Sequence, residues 1–181
     1  SGKTVVSLLA MLRALDCGRQ AIFMAPTEVL VHQHFSTLCA LLGELAQPGG
    51  FNLRGGEGVP IYRLSSSLPS GEKQRTLEAL NQGQAGIFVG THSLLSNQVA
   101  PSCPGIVVID EQHKFGVKQR DKLRKNETGT AHLLVMTATP IPRSVAMTSF
   151  GDLDLLTLKG LPPGRAKVES YRVNSANQSW T

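Results

Sequence analysis

The sequence predicts an α/β domain with a mainly parallel central sheet flanked by helices, and three observations predict it. The apolar cores of "AIFMAPTE", "GIFVGTH", "IVVIDE" and "LLVMTAT" show no polar alternation, as expected of strands covered on both faces. Stretches of helical periodicity separate them, the pattern of parallel crossover units. Each run also ends in small polar residues: Pro26-Thr27-Glu28, Gly90-Thr91-His92, Asp110-Glu111 and Thr137-Ala138-Thr139. Parallel strands would bring all four groups to one rim, the C-terminal edge at which open α/β sheets bind ligands.

The elements follow in order. "SGKT", Ser1 to Thr4, matches the tail of the phosphate-loop pattern G-x-x-x-x-G-K-[ST], with the first residues of that pattern missing. Val5, Leu8, Leu9, Leu12 and Leu15 then recur as one helical face, closed by Gly18. This basic start and apolar stretch imitate a signal peptide, but Arg13 interrupts it and the chain does not start with Met. A truncated ATPase is the expectation. "AIFMAPTE" (21–28) reads as a strand, followed by a helix from about Val29 to Leu42. Residues 43–60, rich in Gly and Pro, read as a flexible surface insertion. "IYRL" (61–64) reads as a strand, and "SGEKQRTLEALNQG" as an amphipathic helix with Ser70 as cap and Gly83 as stop. Three strands then follow, "GIFVGTH", "IVVIDE" and "LLVMTAT". "DLDLLTL" is expected to form another short strand, and "LPPGR" to mark where the chain leaves the domain.

Composition narrows the class. At 181 residues the chain suits about one domain of ~150 residues, long enough for a sizeable core. Its 41% hydrophobic and 17% charged fractions are those of a soluble globular protein. The charge of +5 permits nucleic-acid binding without requiring it, and 5% aromatics are too few for a base-stacking platform. Cys17, Cys39 and Cys103 are odd in number and lack metal-ligand spacing, which favours a reducing intracellular compartment over a disulfide framework. No apolar stretch is long enough to span a bilayer.

Asp110 and Glu111 close the apolar run Ile106 to Ile109. The bland reading makes them a turn former and a helix cap. Beside a phosphate loop they have a chemical division of labour. Hydrolysis of ATP needs a metal on the phosphate oxygens, cationic charge and an oriented water. Lys3 would supply charge, Thr4 and Asp110 would hold Mg2+ directly or through water, and Glu111 would polarise the water.

"SGKT", "APTE", "VGTH", "DEQHKFGV", "TATPIPR" and "LPPGR", in this order, resemble the first motor domain of superfamily 2 helicases, in particular the RecG family of branched-DNA helicases. The resemblance covers nearly the whole chain. It implies a RecA-like P-loop NTPase domain, incomplete at its phosphate-loop start, over residues 1–160. Residues 161–181 would be a linker or the start of a second motor domain. It further implies an ATP- and Mg2+-dependent enzyme that translocates on double-stranded DNA and remodels stalled forks and Holliday junctions in repair and recombination. The expected partners are branched duplex DNA and the second motor and wedge domains of a full-length chain, with no membrane. The expected compartment is a bacterial cytoplasm at the nucleoid, or an organelle of bacterial descent.

Residue by residue, Ser1, Gly2, Lys3 and Thr4 match the end of the first helicase motif, and Asp110, Glu111, Gln112 and His113 match the second. Gln112 and His113 are similar to residues that couple nucleotide state to the motor, with a structural imidazole the alternative for His113. Thr137, Ala138 and Thr139 resemble the motif linking hydrolysis to DNA movement, the alternative being strand-end caps. Pro26, Thr27 and Glu28, with Gly90, Thr91 and His92, resemble motifs that touch the DNA backbone through hydroxyls and N–H groups. A structural role for Glu28 and His92 stands equally open. Lys114 and Ser144 depart from the family pattern, which has Arg and Thr there, and the 43–60 insertion is longer than the family's. The fragment alone is expected to lack helicase activity and to show little or no hydrolysis, since ATP in such motors lies between two domains. Two other readings remain: the motor of a transcription-repair coupling factor, and a non-catalytic nucleotide- or nucleic-acid-binding module. "SGKT", Thr27-Glu28, Gln112 and "LPPGR" weigh against the first of these, and intact Lys3, Asp110 and Glu111 against the second.

Overall fold

The computed structural model describes residues 2–50, 58–91, 94, 101–110, 131–137, 154 and 156–158. In chain order these form α1 (Lys3–Asp16), β1 (Gln20–Met24), α2 (Glu28–Leu42), a 3₁₀ turn (Gly43–Leu45), β2 (Ala46–Pro48), β3 (Val59–Leu64), α3 (Ser70–Asn81), β4 (Gly86–Gly90), β5 (Pro104–Asp110) and β6 (His132–Met136). The six strands build one sheet in the order β2-β3-β4-β1-β5-β6, and every neighbouring pair is parallel.

Alternate residues of the apolar runs serve two separate cores, which is why the runs carry no polar face. Ala21 and Phe23 of β1, with Ile106 and Val108 of β5, pack against Leu8 and Met11 of α1 and Val31, Leu38 and Leu42 of α2. Ile22, Met24, Val107 and Ile109 point the other way, toward Ala79 and Leu80 of α3. Gln20 is fully buried and satisfied: its Nε2 donates to the Leu80 carbonyl at 2.8 Å and its Oε1 accepts the Cys103 N–H at 3.1 Å. This bond pair ties the end of α3 to the entry of β5, since a buried amide left unpaired would be costly.

Several boundaries differ from the sequence expectation. The buried side of α1 is Ser7, Leu8 and Met11, whereas Val5 and Leu9 are 44% and 62% exposed. Strand β1 stops at Met24, and Glu28 already opens α2. Strand β4 stops at Gly90, and β6 at Met136. Part of the expected insertion is ordered into the sheet, because Ala46–Pro48 pair with Val59–Ile61 and make the sheet edge. Ser70 is the first residue of α3 rather than its cap. Pro69 occupies the cap position and makes no side-chain capping bond. Gly83 does end that helix, in the left-handed conformation at φ 73° that favours glycine. Asp154 and Leu156–Leu158 lie in no strand, although a strand was expected over 152–158. The proposed linker, 161–181, lies outside the described residues. Among the described residues no helix is long and apolar enough to cross a membrane.

Candidate active site

The registers align the strand ends. Met24 is level with Gly90 on one side and Ile109 on the other, Leu64 with Gly90, and Asp110 with Met136. The residues that follow, Ala25 to Thr27, Ser65, Thr91 and Thr137, therefore emerge at one rim with Asp110. A bond from the Ala25 N–H to the Gly90 carbonyl, 3.0 Å, continues the pairing one step past the strands.

Helix α1 returns to this rim. Cys17, Gly18 and Arg19 close its last turn on Ala14 and Leu15 and lead directly into β1. With so short a link the helix runs back along the sheet, and its 14 residues, about 21 Å, span the length of β1. Gly2 is its N-cap, at φ 74°, and its carbonyl accepts the N–H groups of Val5 and Val6. Lys3 and Thr4 form the first turn, which contains no acidic residue.

The N-terminus of α2, on the same rim, is built differently. Thr27 is extended and its hydroxyl accepts the Leu30 N–H at 3.3 Å, an ordinary cap. Glu28 accepts the Ser66 N–H at 3.0 Å. Burial pushes the Glu28 carboxyl up, but hydrogen bonding from Ser65 and Ser66 and the nearby His32 outweigh it and hold the group below the usual carboxylate range. Glu28 thus latches α2 to the loop after β3, where the Ser65 hydroxyl also accepts the Ser67 N–H at 3.2 Å.

Gly90 has a packing reason for being glycine. A Cβ there would lie 3.0 Å from the Leu64 carbonyl and 2.8 Å from Leu94 Cδ1. Thr91 is buried, and its carbonyl accepts the Leu94 N–H at 3.1 Å.

Asp110 ends β5 and is only 8% exposed. Its Oδ2 accepts a hydrogen bond from His34 Nε2 at 2.7 Å, across 76 residues of sequence. His34 was not foreseen. It lies on the sheet-facing stripe of α2 with Val31 and Leu38, so a polar residue interrupting a core stripe was the available signal. The Ser65–Ser67 loop was missed as well, since its role depends on where Glu28 reaches. Ser1, Glu111, Gln112, His113, His92, Ala138 and Thr139 lie outside the described residues. Of the expected site, the structure describes Gly2, Lys3, Thr4, Pro26, Thr27, Glu28, Gly90, Thr91, Asp110 and Thr137. Among the described residues no group of three or more His, Cys, Asp or Glu side chains is set to hold a metal.

Comparison with known proteins gives this rim a context. The family model for DEAD/DEAH box helicases matches residues 1–148. The chain is 49% identical over 171 residues to the ATP-dependent DNA helicase RecG of Mycobacterium tuberculosis, covering 93% of this chain and 23% of that protein. To RecG of Borreliella burgdorferi it is 40% identical over 178 residues, covering 98% and 24%. It therefore spans about a quarter of the length of these curated relatives. A solved structure of RecG bound to a three-way DNA junction superposes with a TM-score of 0.73 at 36% identity, over 93% of this chain and 21% of that one. A DEAD-box protein from Methanococcus jannaschii, at 21% identity and a TM-score of 0.55 over 84% of this chain and 41% of that one, shares the fold. The parallel sheet, the helix terminus returning to its C-terminal rim and the match over 148 of 181 residues agree: the chain has the RecA-like helicase fold and belongs to the DEAD/DEAH box helicase family.

Proposed function

We propose that this chain is the first motor domain of an ATP-dependent double-stranded DNA translocase that remodels branched DNA, such as stalled forks and Holliday junctions, in repair and recombination. The observation that carries the reading is the N-terminus of α1 at the same rim as Asp110. That terminus runs against the helix dipole, with a lysine and no acid in its first turn, where negative charge is the stabilising kind. A polyphosphate resolves the mismatch. Thr4 and Asp110 offer oxygen donors, which suit a hard divalent cation such as Mg2+.

In this reading Lys3 places its charge on the outer phosphates, and Thr4 and Asp110 hold Mg2+ directly or through water. Glu111, the next residue in the chain, polarises the attacking water, while Gln112 and His113 relay nucleotide state. MgATP, when bound, supplies the phosphoanhydride bond whose hydrolysis drives the motor. Pro26 to Glu28 and Gly90 to His92 would belong to the motifs on the DNA side, with Thr27 and Glu28 acting by holding the start of α2 in place, and Thr137 to Thr139 would link the two sites. The RecG relative was solved on a three-way junction, which supports branched DNA as the substrate. A second motor domain and a junction-gripping wedge domain complete the enzyme, and its bacterial relatives support a place in the bacterial cytoplasm.

The test is ATP hydrolysis by the full-length protein with no DNA, linear duplex, or a forked or four-way junction. Stimulation much stronger with branched DNA than with linear duplex is expected. Stimulation indifferent to branching would overturn the substrate and favour a duplex-tracking motor of the transcription-repair coupling kind. Absence of hydrolysis under every condition would overturn the motor reading in favour of a binding module.

A further inference from the structure

The bond between His34 and Asp110 joins a helix that the nucleotide chemistry does not use to the carboxylate assigned to the metal. Both side chains are nearly covered, 13% and 12% exposed, and the 2.7 Å separation is in the range of a charge-assisted hydrogen bond. The imidazole is itself held in place. Its ring lies 4.7 Å from that of Phe23 on β1, and Val31 and Leu38 on the same side of α2 are fully buried. A carboxylate accepts and cannot donate, so His34 Nε2–H donates to Oδ2. The bond engages Oδ2 and leaves Oδ1 outside it.

We propose that His34 is a positioning residue: it fixes the Asp110 carboxylate so that Oδ1 faces the divalent cation of the nucleotide site. A covered carboxylate at a strand end can rotate about its side-chain torsions, and one fixed donor selects a single orientation without removing the second oxygen. Outer partners of this kind set the affinity of metal-holding carboxylates, and losing one typically costs about 10–100-fold. The inference rests on Asp110 being a metal-holding residue, as proposed above.

The experiment uses the full-length protein, with Mn2+ as the probe and ADP present, and follows the free Mn2+ signal by electron paramagnetic resonance. Three variants are compared: His34→Leu, His34→Gln and Asp110→Asn. His34→Leu keeps an apolar contact with Phe23 and loses the donor, whereas the Gln amide presents an N–H near the position of Nε2. The expected result is Mn2+ binding weakened about tenfold or more in His34→Leu and largely restored in His34→Gln. The Mg2+ concentration for half-maximal ATP hydrolysis should move in parallel, with the rate recovering at saturating Mg2+. Mn2+ binding by His34→Leu equal to that of the parent, alongside weakened binding by Asp110→Asn, would overturn the role of His34 alone. Equal loss in His34→Leu and His34→Gln would make the residue a packing element and overturn the proposal. Unchanged binding in Asp110→Asn would remove the metal assignment, and the inference with it.

Discussion

Two helices begin at the same rim and solve the problem of their N-termini in opposite ways. Helix α2 satisfies its own: the Thr27 hydroxyl takes an N–H, Glu28 places negative charge in the first turn, and the loop after β3 closes over it. Helix α1 has a left-handed glycine as cap, no side-chain capping bond, no acid and a lysine. The first arrangement contributes to stability; the second, in the function proposed above, would be completed by a bound phosphate. A terminus that breaks the capping rules is the better place to look for a ligand than one that obeys them.

This contrast can be broken from either side. The largest expected effect is at α1. Lys3→Ala in the full-length protein should lower kcat for ATP hydrolysis by about 10²–10³-fold, by removing charge from the phosphates. Melting in the absence of nucleotide should barely change. Gly2→Ala comes next, because a left-handed non-glycine residue costs about 1–2 kcal/mol. It should weaken nucleotide binding measured by calorimetry, since the strain falls on the turn that opens α1. At α2 the prediction is reversed. Thr27→Ala should destabilise the domain by about 1 kcal/mol through the lost cap, read as a lower melting temperature, while nucleotide affinity stays at the parent's value.

The smallest effect belongs to the Glu28 latch, a single hydrogen bond at the surface worth less than about 1 kcal/mol. Because folding lowers the Glu28 pKa, the latch contributes fully above the carboxylate's ordinary value and is lost as pH falls through the lowered one. The stability difference between the parent and Glu28→Gln should therefore be constant near neutral pH and vanish in acid. A difference that grew in acid would show the sign to be wrong.

Local pattern alone determined much of this. Runs such as Ile106 to Ile109 announce covered strands because both faces are apolar, and α2 was legible nearly to the residue, from about Val29 against an observed Glu28 to Leu42. The positions of Lys3 and Thr4 at a helix start and of Asp110 at the end of a covered strand were legible too. Tertiary structure decided the rest. The same residues of α1 can be grouped into more than one helical stripe, and only packing against the sheet selects Ser7, Leu8 and Met11 over Val5 and Leu9. Ala46–Pro48 have little strand character of their own and become an edge by pairing with β3. His34 meets Asp110 across 76 residues and Glu28 meets Ser66 across 38. Periodicity and motif spacing are properties of neighbours along the chain, whereas these bonds depend on which strand ends the folded sheet sets level with one another.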